Sequence, residues 1–544
     1  MRQPWKFLTT RFAAVLDRWQ PPETAVLLIM ALIVGFGAGY GAVGFRMLIN
    51  FINNLAFVEG RTVLRFVGDY YVILLPAIGG LFVGPLVYYL AREAKGHGVP
   101  EVMEAVAMRA GRIRPIVVIV KALASSITIG TGGSVGREGP IVQIGSALGS
   151  SIGQALRISN SRIQTLVACG AAGGIAATFN APIAGAIFAL EVIIGDFAVS
   201  NFASVVVSAV TAGAIGRIVL GNEPAFIIPR YDLASPWELF LYALLGILAA
   251  TVAVAFVRVL YRVEDIFDAW KFPEYLKPVP GGLIIGTMGF FFPQLFGVGY
   301  DAISSTLRGE GTWSLLLALV VLKMLATSIT IGSGGSGGVF APSLFLGATL
   351  GGLFGLGMNR AFPAITAPAG AYAVVGMAAL FSGAAHAPLT AIIIVFEMTN
   401  DYRLILPLML TTVISTNLAE VLNKESIYTM KLVRRGIRLE RGRDIDVMQG
   451  VFVGEAMTRN ITPVPASMTL AELAREFERS HHHGLPVVDE SGDLYGLVTI
   501  RDLERALSNP EIDRLSAPVS EIATTDPVVT YPDDPMWSAL KKLG

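Results

Sequence analysis

The residues GTGGSVGREGP (130–140) set one glutamate, Glu138, among glycines, and it is the only carboxylate between Glu104 and Glu191. The glycines permit close backbone approach, and Pro140 suits the first turn of a helix, where an N–H has no partner one turn back. The free amides there carry a partial positive charge and bind anions without a lysine or a metal. GHGVPE (96–101), with Pro100, and GGVFAP (337–342), with Pro342, repeat this grammar. If the three helix starts converge, their amides can replace part of the water shell of a bare anion. A charged side chain near a bilayer centre costs about 2.5–3.5 kcal/mol and usually lines a pathway. Glu138 is therefore expected to be a gate: ionised, it fills the anion site as a tethered carboxylate; protonated, it swings away. The competing readings are a plain ion pair with Arg137, and glycines and prolines that serve only helix packing.

Other chemistries fit less well. GSGGSG (332–337) satisfies GxGxxG, and Ser328–Ile331 before it could pass for a strand, which makes a dinucleotide-dependent enzyme the remote alternative. Yet no acid occurs from Gly311 to Phe396, where the ribose-binding carboxylate belongs. GREGP also lacks a Walker lysine. Cys169, the lone cysteine, lies in an apolar stretch and reads as a small buried hydrophobe. Glu191 and Glu397 each end an AP-initiated apolar segment and are expected to make structural contacts. His481–His483 read as a solvated turn, so no metal is expected there.

These candidates must be positioned in a bilayer. Of 544 residues, 53% are hydrophobic and 15% charged, against roughly a quarter charged in soluble proteins. Thr24–Phe45, Phe197–Gly216 and Leu239–Val257 contain no charge and are long enough to cross. Met324–Asn359 and Ala361–Phe396 are also uncharged but too long for one straight crossing, so broken or tilted helices are expected. This is an integral, multi-pass membrane protein that contacts the lipid bilayer, not one that binds nucleic acid. Arg2, Lys6, Arg11 and Arg18 precede the first crossing, and Lys431, Arg434, Arg435, Arg438, Arg441 and Arg443 follow the last. By the positive-inside tendency both termini are cytoplasmic. Residues 1–22 read as an interfacial helix rather than a signal peptide.

The chain is duplicated. KALASSITIGTGGSVGREGP, ending at Pro140, lies over KMLATSITIGSGGSGGVFAP, ending at Pro342; GHG (96–98) lies over GVG (297–299), and FNAPIAGAIFALE (179–191) over AHAPLTAIIIVFE (385–397). Two halves, about 23–220 and 236–425, thus make one membrane domain (23–435), with the site expected where they meet. A linker (436–451) leads to a soluble α/β segment (452–510), in which Glu490–Asp493 makes a hairpin turn. A second copy of it begins at 516 and is expected to stop in its first helix, within 516–544.

GHGVPE, GREGP, GGVFAP and the segment ending in Tyr428, in this order over about residues 20–435, resemble the CLC chloride channels and chloride/proton antiporters. The resemblance implies an all-α polytopic inverted-repeat fold of tilted and broken helices, a homodimer with one pore per subunit, and C-terminal α/β CBS domains, which the tail also resembles. It makes Glu138 the gating glutamate. Gly136, Arg137 and Gly139 frame the outer anion site; Gly96, His97, Gly98, Val99 and Pro100 belong to it; Val339, Phe340 and Ala341 add amides; and Tyr428 offers its hydroxyl to a central anion. Chloride or another small anion is the implied substrate, in a family that includes voltage-gated chloride channels.

Two positions depart from the pattern. Where the family usually has a serine hydroxyl there is His97, which either makes anion binding pH-dependent or points away and leaves only amides. Where antiporters carry an internal proton-transfer glutamate there is Val192, which cannot relay protons. Glu191, one position away, faces elsewhere on a helix. Channel-like conduction is thereby favoured, with a proton-coupled antiporter using another internal route as the alternative. In the tail, Thr499 and Asp502 resemble the CBS pair that holds the ribose of an adenine nucleotide. No other cofactor is implied.

Overall fold

A computed structural model describes residues 23–63, 65–222, 225–438, 452–459, 461–509, 512–513, 516–534 and 536–543. The expected interfacial helix, most of the linker, and Arg441 and Arg443 lie outside the described residues. The chain forms two compact units, Met1–Gly442 and Arg443–Gly544.

The first unit is helical. Its first half contains α1 (Glu23–Asn53), α2 (Tyr71–Leu90), α3 (Val99–Met108), α4 (Ile116–Gly130), α5 (Glu138–Ala155), α6 (Asn160–Phe179), α7 (Pro182–Phe188) and α8 (Val199–Leu220). The second contains α9 (Glu238–Ala269), α10 (Pro278–Phe291), α11 (Tyr300–Leu307), α12 (Trp313–Gly332), α13 (Phe340–Ala361), α14 (Ala369–Ala385), α15 (Pro388–Thr399), α16 (Ile405–Leu422) and α17 (Thr429–Arg434). Among the described residues, seven helical stretches are long and apolar enough to cross a membrane, and others are short. The two overlong apolar runs are each broken. The first parts between α12 and α13, where Gly334 takes φ 107°; the second parts at His386, left-handed at φ 54° and followed by Pro388 within the first turn of α15.

The duplication is structural: α4, α5, α6 and α7 correspond to α12, α13, α14 and α15. The repeated lysines do the same work in each half. Lys121 Nζ donates to the Ala94 and Gly96 carbonyls at 3.0 and 2.8 Å, and Lys323 Nζ to those of Leu295 and Gly297 at 3.2 and 3.0 Å. Each buried ammonium ties down the loop that precedes a helix start, α3 or α11.

Glu191 and Glu397 make the structural contacts expected of them, and they make them across the halves. Glu397 accepts from the Ile183 and Ala184 amides at the start of α7, at 3.1 and 2.7 Å. Glu191 accepts from the Leu389 and Thr390 amides at the start of α15, at 3.1 and 2.7 Å, and from the Thr390 hydroxyl at 2.6 Å. A carboxylate on partly buried helix-start amides is worth up to about 2 kcal/mol. Glu191→Ala is therefore expected to lower the melting temperature in detergent, with Glu191→Gln intermediate; unchanged melting of the alanine variant would refute the clasp.

The second unit carries a three-stranded sheet ordered β1 (Val464–Pro465), β2 (Gly484–Val488), β3 (Leu494–Thr499). β1 and β2 are parallel, and β2 and β3 antiparallel with Leu485 opposite Val498. The expected hairpin turn joins β2 to β3: Asp489 accepts from the amides of Ser491 and Asp493, at 2.9 and 3.0 Å, and Gly492 takes φ 85°. Leu470, Leu473 and Phe477 of α18 (Leu470–Ser480) pack with Leu485, Val487, Val498 and Leu503 of the sheet and of α19 (Ile500–Ser508). Thr469 and Glu472 cap α18 reciprocally. The Thr469 amide and hydroxyl hold the Glu472 carboxyl below its usual range. The cap is thus complete above the ordinary carboxylate pKa and is lost as pH falls through the depressed value.

Candidate functional site

The three glycine signatures meet, joined backbone to backbone. Gly136 and Gly338 exchange amide bonds at 2.7 and 2.6 Å, while Gly96 N donates to Gly335 O at 3.1 Å and Gly337 N to Gly96 O at 3.2 Å. The starts of α3, α5 and α13 are thereby held at one junction between the halves. Two glycines are required by geometry. Gly98 precedes α3 with φ 84°, a region disfavoured for other residues. A side chain on Gly139 would collide with the His97 carbonyl and with Gly338.

This arrangement corrects the roles expected of three residues. The amides of Gly96 and Gly136 already donate to carbonyls, so these residues build the junction and offer no N–H to an anion. Pro100 has no N–H to give and sets the first turn of α3. The first turns of α5 and α13 retain amides without an acceptor one turn back. A closed, tightly packed cavity lies beside them, lined by His97, Val99, Glu138, Gly139, Val142, Ile175, Phe188, Val339, Phe340 and Tyr428. Val339, Phe340 and Ala341 are each 2% exposed or less, so an ion at these amides is shielded from bulk water. Arg137 lies at the junction's edge, its guanidinium 5.0 Å above the Tyr300 ring.

Glu138 is 1% exposed. Its Oε1 accepts a 2.8 Å hydrogen bond from the Tyr300 hydroxyl and lies 4.0 Å from Arg137 Nε. Its Oε2 is buried against Gly136 without a hydrogen-bond partner among the described residues. The Glu138 and Ala341 amides face the carboxylate. The carboxylate thus lies among helix-start amides, with a tyrosine rather than Arg137 as its near partner. Tyr428, 1% exposed, precedes α17 and stands 6.0 Å ring to ring from His97. His97 is equally buried, and its Nε2 lies 3.4 Å from Tyr261 Oη.

Residues 79–420 match the voltage gated chloride channel family, and residues 453–509 the CBS domain. This chain belongs to the voltage gated chloride channel family. The "Putative chloride channel protein ClcB-like" of Ralstonia nicotianae is 36% identical over 66% of this chain and 85% of its own length. The "H(+)/Cl(-) exchange transporter ClcA" of Vibrio campbellii is 34% identical over 79% of this chain and 94% of its own. Among solved structures, a slow cyanobacterial Cl−/H+ antiporter superposes with a TM-score of 0.69 at 27% identity, over 76% of this chain and 98% of that one. These likenesses carry the inverted-repeat CLC-type fold to the membrane unit.

Membership in a family of channels and transporters removes the dinucleotide enzyme, and the backbone agrees. Ser328–Ile331 is part of helix α12, not a strand, and the GSGGSG glycines stitch the junction. The buried Val192 side chain lies in a π-helical turn, Ala189–Ile194, and does not line the cavity; the adjacent Glu191 is held by α15. Thr499 and Asp502 sit in the CBS unit, where they cap α19 for each other: Thr499 Oγ1 donates to Asp502 Oδ2 at 2.6 Å.

Two site residues escape the sequence reading. Tyr300 directly follows the GVG that pairs with GHG, but its counterpart there is Val99, so the duplication carries no signal for it. Tyr261 lies in the interior of α9 and has the look of any core aromatic.

Proposed function

We propose that the chain carries chloride or a similar small anion across the membrane through this junction, in channel-like fashion, with Glu138 as the gate. The observation that carries the reading is the Glu138 carboxylate, buried among the first-turn amides of α5 and α13 where a free anion would be held. Glu138 competes with that anion when ionised and yields when protonated. Val339, Phe340, Ala341 and Gly139 supply amides, and Tyr428 a hydroxyl, to the passing ion. Apolar Val192, with Glu191 engaged as a cap, favours conduction without obligatory proton return.

Proton-coupled exchange is the second reading. It draws on the exchange transporters among the relatives and on a buried histidine beside the cavity. Flux from proteoliposomes separates the two: chloride efflux without proton pumping supports the channel, a fixed proton count per chloride supports exchange, and absence of ion flux overturns both. We further assign both termini to the cytoplasm, from the basic flanks, and a homodimer, by likeness to the family.

The CBS unit is proposed to bind an adenine nucleotide through Thr499 and Asp502. Both are already tied into a helix cap, so the ligand must share the carboxylate rather than take an idle one. Asp502→Ala is expected to weaken ATP binding at least roughly tenfold by calorimetry, the scale of a lost charged hydrogen bond. ATP binding equal to wild type would remove the assignment.

A further inference from the structure

The two ring nitrogens of His97 have different surroundings. Nε2 faces Tyr261 Oη at 3.4 Å, and that hydroxyl donates its one proton to the Ile427 carbonyl at 2.7 Å. A phenol has a single proton and otherwise accepts. Toward His97 the Tyr261 oxygen is thus an acceptor, and the proton between them belongs to Nε2. Neutral imidazole has one N–H, which leaves Nδ1 with a bare lone pair. Nδ1 is buried and has no hydrogen-bond partner among the described residues, in a ring that helps line the cavity holding Glu138 and Tyr428. A lone pair repels an anion, whereas an imidazolium attracts one.

We infer that His97 Nδ1 is a proton-binding site filled together with the anion. Chloride entering the cavity is accompanied by one proton from solution, and the pair enters as a neutral unit with no bond made or broken beyond N–H. The inference rests on the anion-site reading of the preceding subsection.

The charges around the ring are mostly positive, Lys431, Lys121 and Arg435 against Glu101, so an imidazolium is favoured there only together with an anion. From α3 it faces Glu101, whose carboxylate is taken by Lys431 at 3.1 Å and Arg435 at 3.2 Å. From α4 it faces Lys121, which donates only to backbone carbonyls. Across the cavity stands Glu138 of α5, bonded to Tyr300. Tyr261 of α9 and Tyr428 are neutral neighbours. Neither carboxylate bonds the ring, for Glu101 is engaged by two cations and Glu138 by Tyr300, so the direct partner an imidazolium lacks at Nδ1 is the anion. Each ligand supplies the charge the other needs, and the coupling is reciprocal by linkage.

Displacing the Glu138 carboxylate would also take up a proton, so the test is made in Glu138→Gln. Chloride is titrated calorimetrically into the purified full chain over about pH 5.5 to 8, in two buffers of different ionisation heat. Expected are an affinity that weakens as pH rises, approaching roughly tenfold per unit, and close to one proton taken up per chloride. Adding His97→Ser should flatten the pH dependence of whatever chloride binding remains and abolish proton uptake. Adding Tyr261→Phe removes the acceptor that fixes Nε2–H and lets neutral His97 offer Nδ1–H, so it too should flatten the profile. A pH-independent affinity in Glu138→Gln, or proton uptake that survives His97→Ser, would overturn the inference. Failure of Glu138→Gln to bind chloride at any pH, with no chloride flux in wild type, would overturn the anion site and this inference with it.

Discussion

At chloride concentrations that saturate the site throughout, glutamine at position 138 is expected to leave chloride flux from proteoliposomes nearly level, within roughly twofold, across about pH 5 to 8, where wild-type flux changes at least roughly tenfold. The wild-type carboxylate is 1% exposed and lies where three glycine loops bring helix starts together. It can hold that place only while ionised, because the surrounding amides favour negative charge. Glutamine fits the same space but neither competes as an anion nor titrates, so flux persists and loses its main pH sensitivity. A variant with the wild-type pH profile would place the gate elsewhere.

Tyr300→Phe should have the next largest effect. The hydroxyl makes a 2.8 Å bond to Oε1, the side-chain hydrogen bond this carboxylate has among the described residues. A hydrogen bond to a charged group is worth about 1.5–3 kcal/mol, a bias of roughly ten- to hundredfold on how often Glu138 leaves the site. Phenylalanine keeps the ring that packs edge-on against Phe226 at 5.3 Å and lies under Arg137, so the fold is retained. Chloride flux at neutral pH is expected to rise by roughly tenfold or more. In Glu138→Gln the same change should do nothing further, since the tyrosine acts through the acid; equal effects in both backgrounds would refute the clamp.

The junction was legible because its chemistry is local. Glycines before a proline, with one acid in an apolar stretch, name a helix start and its occupant without any knowledge of packing, and the duplication supplied the second copy. What holds the junction together was not legible. Tyr300 reaches Glu138 from 162 residues away, and nothing in YDAISS distinguishes that tyrosine from an interfacial one. The same holds for Tyr261, whose role is set by the Ile427 carbonyl beside it. The runs 324–359 and 361–396 betrayed that they must break, and their glycines and prolines where, but not that the first break is the site. Glu191 and Glu397 were recognisable as a duplicated pair; that each crosses to the other half depends on how the halves face one another, which composition does not encode. For Gly96 and Gly136 only their partners reveal that the amides are engaged with Gly335 and Gly338 across the halves.

The crossed acids also constrain biosynthesis. The amides of Ile183 and Ala184 find their acceptor 214 and 213 residues further along, in chain the ribosome has yet to make. The first half must therefore wait in the lipid with an unfinished helix start until the second has been inserted. Its maturation is a late event, and a nascent chain arrested midway would present that gap to whatever machinery inspects unassembled membrane proteins.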